Sequence, residues 1–174
     1  TIEAFIEAMA RRVREFPIAL WAVFFLVRTG RGASLDQVTP EQCEDVLTYL
    51  YHLSLTAPFG IKTTEAPHFH RVIRQGEHEL ANHHVVTSEN RSLRLRSPRS
   101  VNDGNGFVFV DRLGDVCPSG FLPMPRGNVR TGDLVSIYRD DEIFRRLRDP
   151  DALMGTCGRC EFRTVCGGSR GRAY

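Results

Sequence analysis

The sequence predicts an α/β chain in two parts. Residues 1–82 read as the last strand–helix units of a partial (β/α) barrel, and residues 107–174 as a small cysteine-rich unit of a β-hairpin and a helix, with a linker or long loop at 83–106 between them. Three observations carry this. Apolar periodicity alternates helix, strand, helix, strand, helix up to about residue 82. Composition then turns to Ser, Asn, Arg and Gly through "ANHHVVTSENRSLRLRSPRSVNDGNG". Finally, Cys157, Cys160 and Cys166 crowd into one Gly- and Arg-rich stretch near the end.

The elements follow in order. "TIEAFIEAMARRVREF" spaces Ile2, Phe5, Ile6, Met9, Val13 and Phe16 at three- and four-residue intervals, an amphipathic helix ended by Pro17. "LWAVFFLV" is continuously apolar and rich in aromatic and β-branched residues, as expected of a parallel strand covered on both faces. After the loop "RTGRGAS", Thr39, Pro40 and Gln42 make a capping box with Pro at the first helical position, and Val46, Leu47, Leu50 and Leu53 form the stripe of the helix that follows. "FGIKTTEAPHFHRVIRQ" gives a short strand, a polar tip holding Thr63, Thr64 and Glu65, and a turn into a third helix. Two parallel strands alone leave open edges and a half-covered core, so further barrel units are expected ahead of them. Beyond residue 106, "GFVFVDRLGDVCPSGFL" reads as a hairpin with Cys117 on or just after its second strand. "DDEIFRRLRDP" reads as a short helix with Ile143, Phe144 and Leu147 on one face and Pro150 as its stop.

Composition narrows the function. With 41% hydrophobic and 25% charged residues the chain is neither disordered nor collagenous, and no apolar run approaches the roughly 18 to 20 residues that cross a bilayer, so no membrane role is expected. A net charge of +2 gives no case for a nucleic-acid partner, although 22 of the 23 basic residues are Arg and only Lys62 is not. The absence of a basic, apolar leader makes the cytoplasm the expected location. In that reducing compartment clustered thiols are metal ligands more often than disulfides.

C-x2-C-x5-C is the strong signal. A two-residue spacer lets a tight turn aim Cys157 and Cys160 at one centre, and the neighbouring glycines supply the backbone freedom. Thiolates select zinc or an iron–sulfur cluster. Zinc ribbons repeat C-x2-C twice, which this chain does not, so a cluster is favoured. Arg170, in the Gly-rich loop, is the guanidinium picked to offset the charge of such a cluster. At the C-terminal end of a barrel strand, Glu65 binds a substrate amine or acts as acid or base; a helix-capping carboxylate is the other role open to it. His68 and His70 lack a third partner and are expected to be exposed or hydrogen-bonded rather than ligands, and Cys43 lies on a helix face as a small core residue.

The runs "FFLVRTGRG", "GIKTTEAPHFHR", "VCPSGFLPMPRGNVR" and "IYRDDEIFRRLRDPDALMGTCGRCEFRTVCGGSRGRAY" resemble the C-terminal part of a radical S-adenosylmethionine enzyme with a SPASM-type auxiliary-cluster domain, and more narrowly its haem-biosynthesis branch. The resemblance implies that residues 1–82 belong to the radical barrel and 107–174 to the auxiliary domain. It implies an auxiliary 4Fe–4S cluster, with S-adenosylmethionine and a second 4Fe–4S cluster in the full-length enzyme. There S-adenosylmethionine is cleaved reductively to a deoxyadenosyl radical that takes hydrogen from substrate. A tetrapyrrole small molecule fits the closest branch and a peptide the wider group, with flavodoxin or ferredoxin as electron donor. A non-catalytic iron–sulfur or zinc module is the alternative of another class. Two departures stand out: the catalytic C-x3-C-x2-C motif is absent from residues 1–174, and Arg170 holds a position where fuller SPASM domains continue with cysteine. The family pattern puts the fourth auxiliary ligand past Tyr174, leaving Cys117 as the local substitute.

Overall fold

The computed structural model describes residues 2–82 and 102–174. The first part runs α1 (Ile2–Val13), β1 (Leu20–Phe24), a 3-10 turn (Gly30–Gly32), α2 (Pro40–Ser54), β2 (Gly60–Thr64) and α3 (Phe69–Asn82), the expected helix–strand order. β1 and β2 pair in parallel from Leu20 opposite Gly60 to Phe24 opposite Thr64, with α2 as the crossover between them. The α2 start is the expected capping box: the Thr39 hydroxyl accepts from the Gln42 N–H at 3.2 Å and the Gln42 amide oxygen accepts from the Thr39 N–H at 2.9 Å. Leu47, Leu50, Phe59, Ile61 and Phe69 are sealed in the core where the helices meet the sheet.

Two expectations about burial are corrected. β1 is not covered on both faces. Leu20, Ala22 and Phe24 are exposed while Trp21 and Val23 are half-buried, because the described helices cover only one face of the pair. The α1 stripe is likewise wider than its contact: Ile6 and Ala10 are buried against the core, whereas Phe5 is 61% and Phe16 53% exposed.

In the second part β3 (Phe109–Val110) and β4 (Val116–Cys117) form the expected antiparallel hairpin, with Cys117 opposite Phe109. α4 (Leu134–Asp140), which the sequence reading missed, precedes α5 (Glu142–Arg148), and each is N-capped by an Asp, Asp133 and Asp141. Asp141 also takes the Arg126 guanidinium, at 2.9 Å, and Phe144 fills the space behind. A 3-10 turn (Pro150–Ala152) then leads into three short helical turns, α6 (Gly155–Gly158), α7 (Arg163–Cys166) and α8 (Arg170–Ala173). Most of the 83–106 stretch lies outside the described residues. Its end does not, and Gly104 N–H donates to the Pro118 carbonyl at 2.9 Å. Among the described residues no helix is long and apolar enough to cross a membrane.

Gly76 makes the close approach of α3 to α2 possible, since a Cβ there would stand 2.2 Å from the buried Tyr51 ring. Gly76→Ala, which on helix propensity alone gains about 1 kcal/mol, is expected instead to lower stability by about 1 kcal/mol or more through overpacking. A urea midpoint above that of the parent contradicts this packing.

Candidate functional site

The site grows from the C-terminal end of β2. The Thr63 hydroxyl donates to the Ala66 carbonyl at 2.7 Å and closes a tight turn, inside which Glu65 takes φ +60°. A non-glycine residue in the left-handed region costs about 1 to 2 kcal/mol, and here the conformation turns the Glu65 carboxylate inward, leaving the residue 7% exposed. Its partner is remote in sequence: the Ser169 hydroxyl donates to Glu65 Oε2 at 2.8 Å. The carboxylate is therefore tied to the cysteine-rich part and does not cap α3. Burial pushes the Glu65 pKa up; the Ser169 bond opposes this, the charge of Asp103 adds to it and Arg172 opposes it.

Asp103, 3% exposed, faces the same junction. Its Oδ2 accepts from the Gly171 N–H at 2.8 Å, at the start of α8, while its Oδ1 is buried without a partner among the described residues. The Arg172 guanidinium lies over the Phe25 ring, 6.0 Å from the centroid, and its Nε is also buried without a hydrogen-bond partner among the described residues. Behind it, Cys43 Sγ and His68 Nε2 lie 3.2 Å apart, with the His68 ring edge-on to Phe25. Burial raises the Cys43 pKa and lowers that of His68, so the pair stays a neutral thiol and imidazole. Cys43 is the buried core residue expected, and His68 is one of the hydrogen-bonded histidines.

The cysteine loop packs against this junction, with α7 on α3. Cys157 is exposed and Cys160 and Cys166 are half-buried. Cys160 N–H donates to the Cys157 carbonyl at 3.3 Å and Arg163 N–H to the Cys160 carbonyl at 3.1 Å, which winds the first two thiols round one turn. Burial raises the Cys166 pKa, the Gly168 N–H works against that, and Cys157 and Cys160 add to it, so the three thiols share one electrostatic neighbourhood. Among the described residues no three His, Cys, Asp or Glu side chains converge as ligands of a single ion. Gly167, at φ +67°, ends α7, and a Cβ on it would meet the Asn102 amide nitrogen at 2.1 Å; that amide donates to the Cys166 carbonyl at 3.2 Å. Arg170 Nε donates to the Gly167 carbonyl at 3.1 Å. Burial lowers its pKa, against the charges of Cys157 and Asp103 on either side. Cys117 is buried in β4, where burial and then Asp111 and Asp115 raise its pKa.

The structure thus brings Cys157, Cys160, Cys166 and Arg170 into one loop and sets that loop against Glu65. Cys117 keeps company with hairpin carboxylates. Ser169 and Asp103 escaped the sequence reading, because their partners lie far along the chain; Arg172, one of 22 arginines, stands in the same Arg-rich stretch as Arg170 but was passed over in its favour.

No protein-family model matches the chain. No solved structure matches it. Curated relatives do: it is 38% identical over 161 residues to the AdoMet-dependent heme synthase of Methanosarcina barkeri (strain Fusaro / DSM 804), covering 92% of this chain and 45% of the relative. It is 39% identical over 158 residues to the protein of that name from Oleidesulfovibrio alaskensis, covering 90% of this chain and 40% of the relative. A third, from Nitratidesulfovibrio vulgaris, is 40% identical over 156 residues, 88% of this chain and 42% of the relative. The chain spans less than half the length of the curated relatives it matches.

The raised pKa of Glu65 sets a pH dependence. A carboxyl whose folded pKa lies above the ordinary 4.5 gives its full stabilisation below that value and loses it as pH rises through the folded pKa. Glu65→Gln removes the ionisation, so the stability of the variant relative to the parent should grow as pH rises from about 4.5 towards neutrality. Denaturant titrations of both proteins at several pH values check this; a difference that is flat or shrinks with pH overturns it.

Proposed function

We propose that this chain, a relative of the AdoMet-dependent heme synthases, supplies strand ends of the barrel and the auxiliary-cluster loop of a radical S-adenosylmethionine enzyme of haem biosynthesis, with a tetrapyrrole as its small-molecule substrate. In this reading residues 1–82 belong to the barrel and 107–174 to a SPASM-type domain. The observation that carries it is the Ser169–Glu65 bond, which seats the loop of Cys157, Cys160 and Cys166 on the end of a parallel strand, where α/β barrels keep their functional groups.

The donor set fits a 4Fe–4S cluster. Three thiolates are a donor set that an iron–sulfur cluster takes, and Arg170 with the Gly168 N–H lies near them to offset the negative charge. Cys157, Cys160 and Cys166 would hold it. For the fourth ligand a cysteine beyond Tyr174 is favoured over Cys117, whose thiolate would face Asp111 and Asp115. Residues 1–174 contain no C-x3-C-x2-C, so none of them is assigned to the S-adenosylmethionine cluster. When bound, these groups supply radical and one-electron chemistry. The part of this chain is to bind, orient and exclude water. Glu65, biased towards its protonated form with Oε2 engaged by Ser169, presents the other carboxyl oxygen as the atom that gives or takes a proton, or holds a substrate donor.

Two measurements on the full-length protein test this. After anaerobic reconstitution, Cys160→Ser should bind less iron and sulfide than the parent, while Cys43→Ser should match it; equal loading of the Cys160 variant, or zinc in place of iron, defeats the assignment. In the same assay Cys117→Ser should leave the loading unchanged, and substitution of the next downstream cysteine should lower it. Glu65→Gln should lower turnover by about a hundredfold or more, the usual scale for loss of an acid–base group, with the fold intact by thermal melting. Unchanged turnover removes Glu65 from the reaction.

A further inference from the structure

Beside the Glu65 junction lies a cavity of about 230 Å³ that the function proposed above leaves unused. Its walls are mostly carbon: Phe5 and Ile6 of α1, Val23 near the end of β1, and Val38 just before α2. Three polar side chains line it. The Gln37 amide is engaged with the Leu26 carbonyl at 3.2 Å, and Asp36 is exposed. The third is Arg172, half-buried over the Phe25 ring. Among the described residues its guanidinium makes no ion pair, and its Nε is buried without a hydrogen-bond partner. Of the nearby carboxylates, Glu65 accepts from Ser169 and Asp103 accepts from Gly171 through one oxygen, and neither forms an ion pair with Arg172.

The buried Nε–H of Arg172, left without an acceptor among the described residues, is unfavourable unless an acceptor completes it. We propose that this cavity binds a small monoanionic carboxylate with an apolar body, its carboxylate on the Arg172 guanidinium and its hydrocarbon between α1 and the end of β1. The planar fork of Arg matches a carboxylate in two parallel hydrogen bonds. A phosphate suits the site less. Arg172 is the only cationic side chain in the lining, the Asp36 carboxylate repels a dianion, and the apolar walls offer no second donor that is not already engaged. The volume lies below the 300 to 1,000 Å³ typical of pockets for drug-sized ligands, so a body of about six to ten non-hydrogen atoms fits. The site requires neither a cluster nor S-adenosylmethionine, so it stands or falls separately from the radical reading.

The test titrates hexanoate, hexanol and hexyl phosphate into the full-length protein by calorimetry, with ligand-observed NMR as a second readout. Hexanoate should bind, and hexanol and hexyl phosphate should each bind about tenfold more weakly or worse, the scale of one charge-assisted interaction. Arg172→Gln should bring hexanoate down to the level of hexanol and leave hexanol unchanged, which also shows that the cavity has survived the substitution. Val38→Phe, which fills the cavity and keeps Arg172, should abolish binding of both. Should Arg172→Gln fail to fold, the ranking on the parent and the Val38 variant decide. Equal binding of hexanol and hexanoate, preference for hexyl phosphate, indifference to Arg172→Gln, or no binding of hexanoate because another segment of the protein fills the space each overturn the proposal.

Discussion

A carboxylate withdrawn from water has to find a donor, and in this protein the donor comes from 104 residues away. Glu65 sits at the end of β2 with its side chain turned inward, and the Ser169 hydroxyl satisfies it. Leaving a buried charged group unsatisfied costs at least about 1 to 3 kcal/mol, a large fraction of what holds a small domain folded. The C-terminal segment is therefore not free to settle anywhere on the surface. Asp103 repeats the logic from the other side, since its carboxylate accepts from the Gly171 N–H and fixes the start of α8 two residues beyond Ser169.

These two bonds position the cysteine loop. A loop rich in glycine has much backbone entropy to lose, at about 1 to 2 kcal/mol per residue fixed. Here it is clamped at both ends of its last turns: Asn102 holds the Cys166 carbonyl and presses on Gly167, and Ser169 and Gly171 are tied to the two buried acids. The thiols are thus held in a shared neighbourhood by contacts that do not involve them. That is the arrangement a ligand loop needs if it is to keep its shape while its sulfurs stay available.

The parts of this architecture that rest on local chemistry could be read from the sequence. The Thr39 capping box, the parallel β1–α2–β2 unit and the hairpin that places Cys117 all follow from short-range rules about periodicity, caps and turns, and all are present. α4 was missed because its seven residues carry too little apolar pattern to stand out from the loop around them. The exposure of Leu20 and Phe24 could not be foreseen for a different reason: continuous apolarity records that a strand has two apolar faces and says nothing of which described elements cover them. In the site, the cysteines were legible from spacing and Glu65 from its place after a strand. Ser169 and Asp103 were not, because a single hydroxyl or acid acquires meaning only from a partner the chain brings to it late, and Arg172 could not be told from the arginines around it.

The two arginines of the junction stand in different surroundings. Burial, with Asp103 nearby, holds Glu65 towards its neutral form. The two guanidiniums face different ways: Arg170 feels Cys157 and bonds the Gly167 carbonyl within the thiol loop, while Arg172 lines the apolar cavity over Phe25. The strained backbone at Glu65 belongs to the same junction. Glycine would take φ +60° without cost, but it would remove the carboxyl that engages Ser169, and with it the bond that brings both arginines to the strand end.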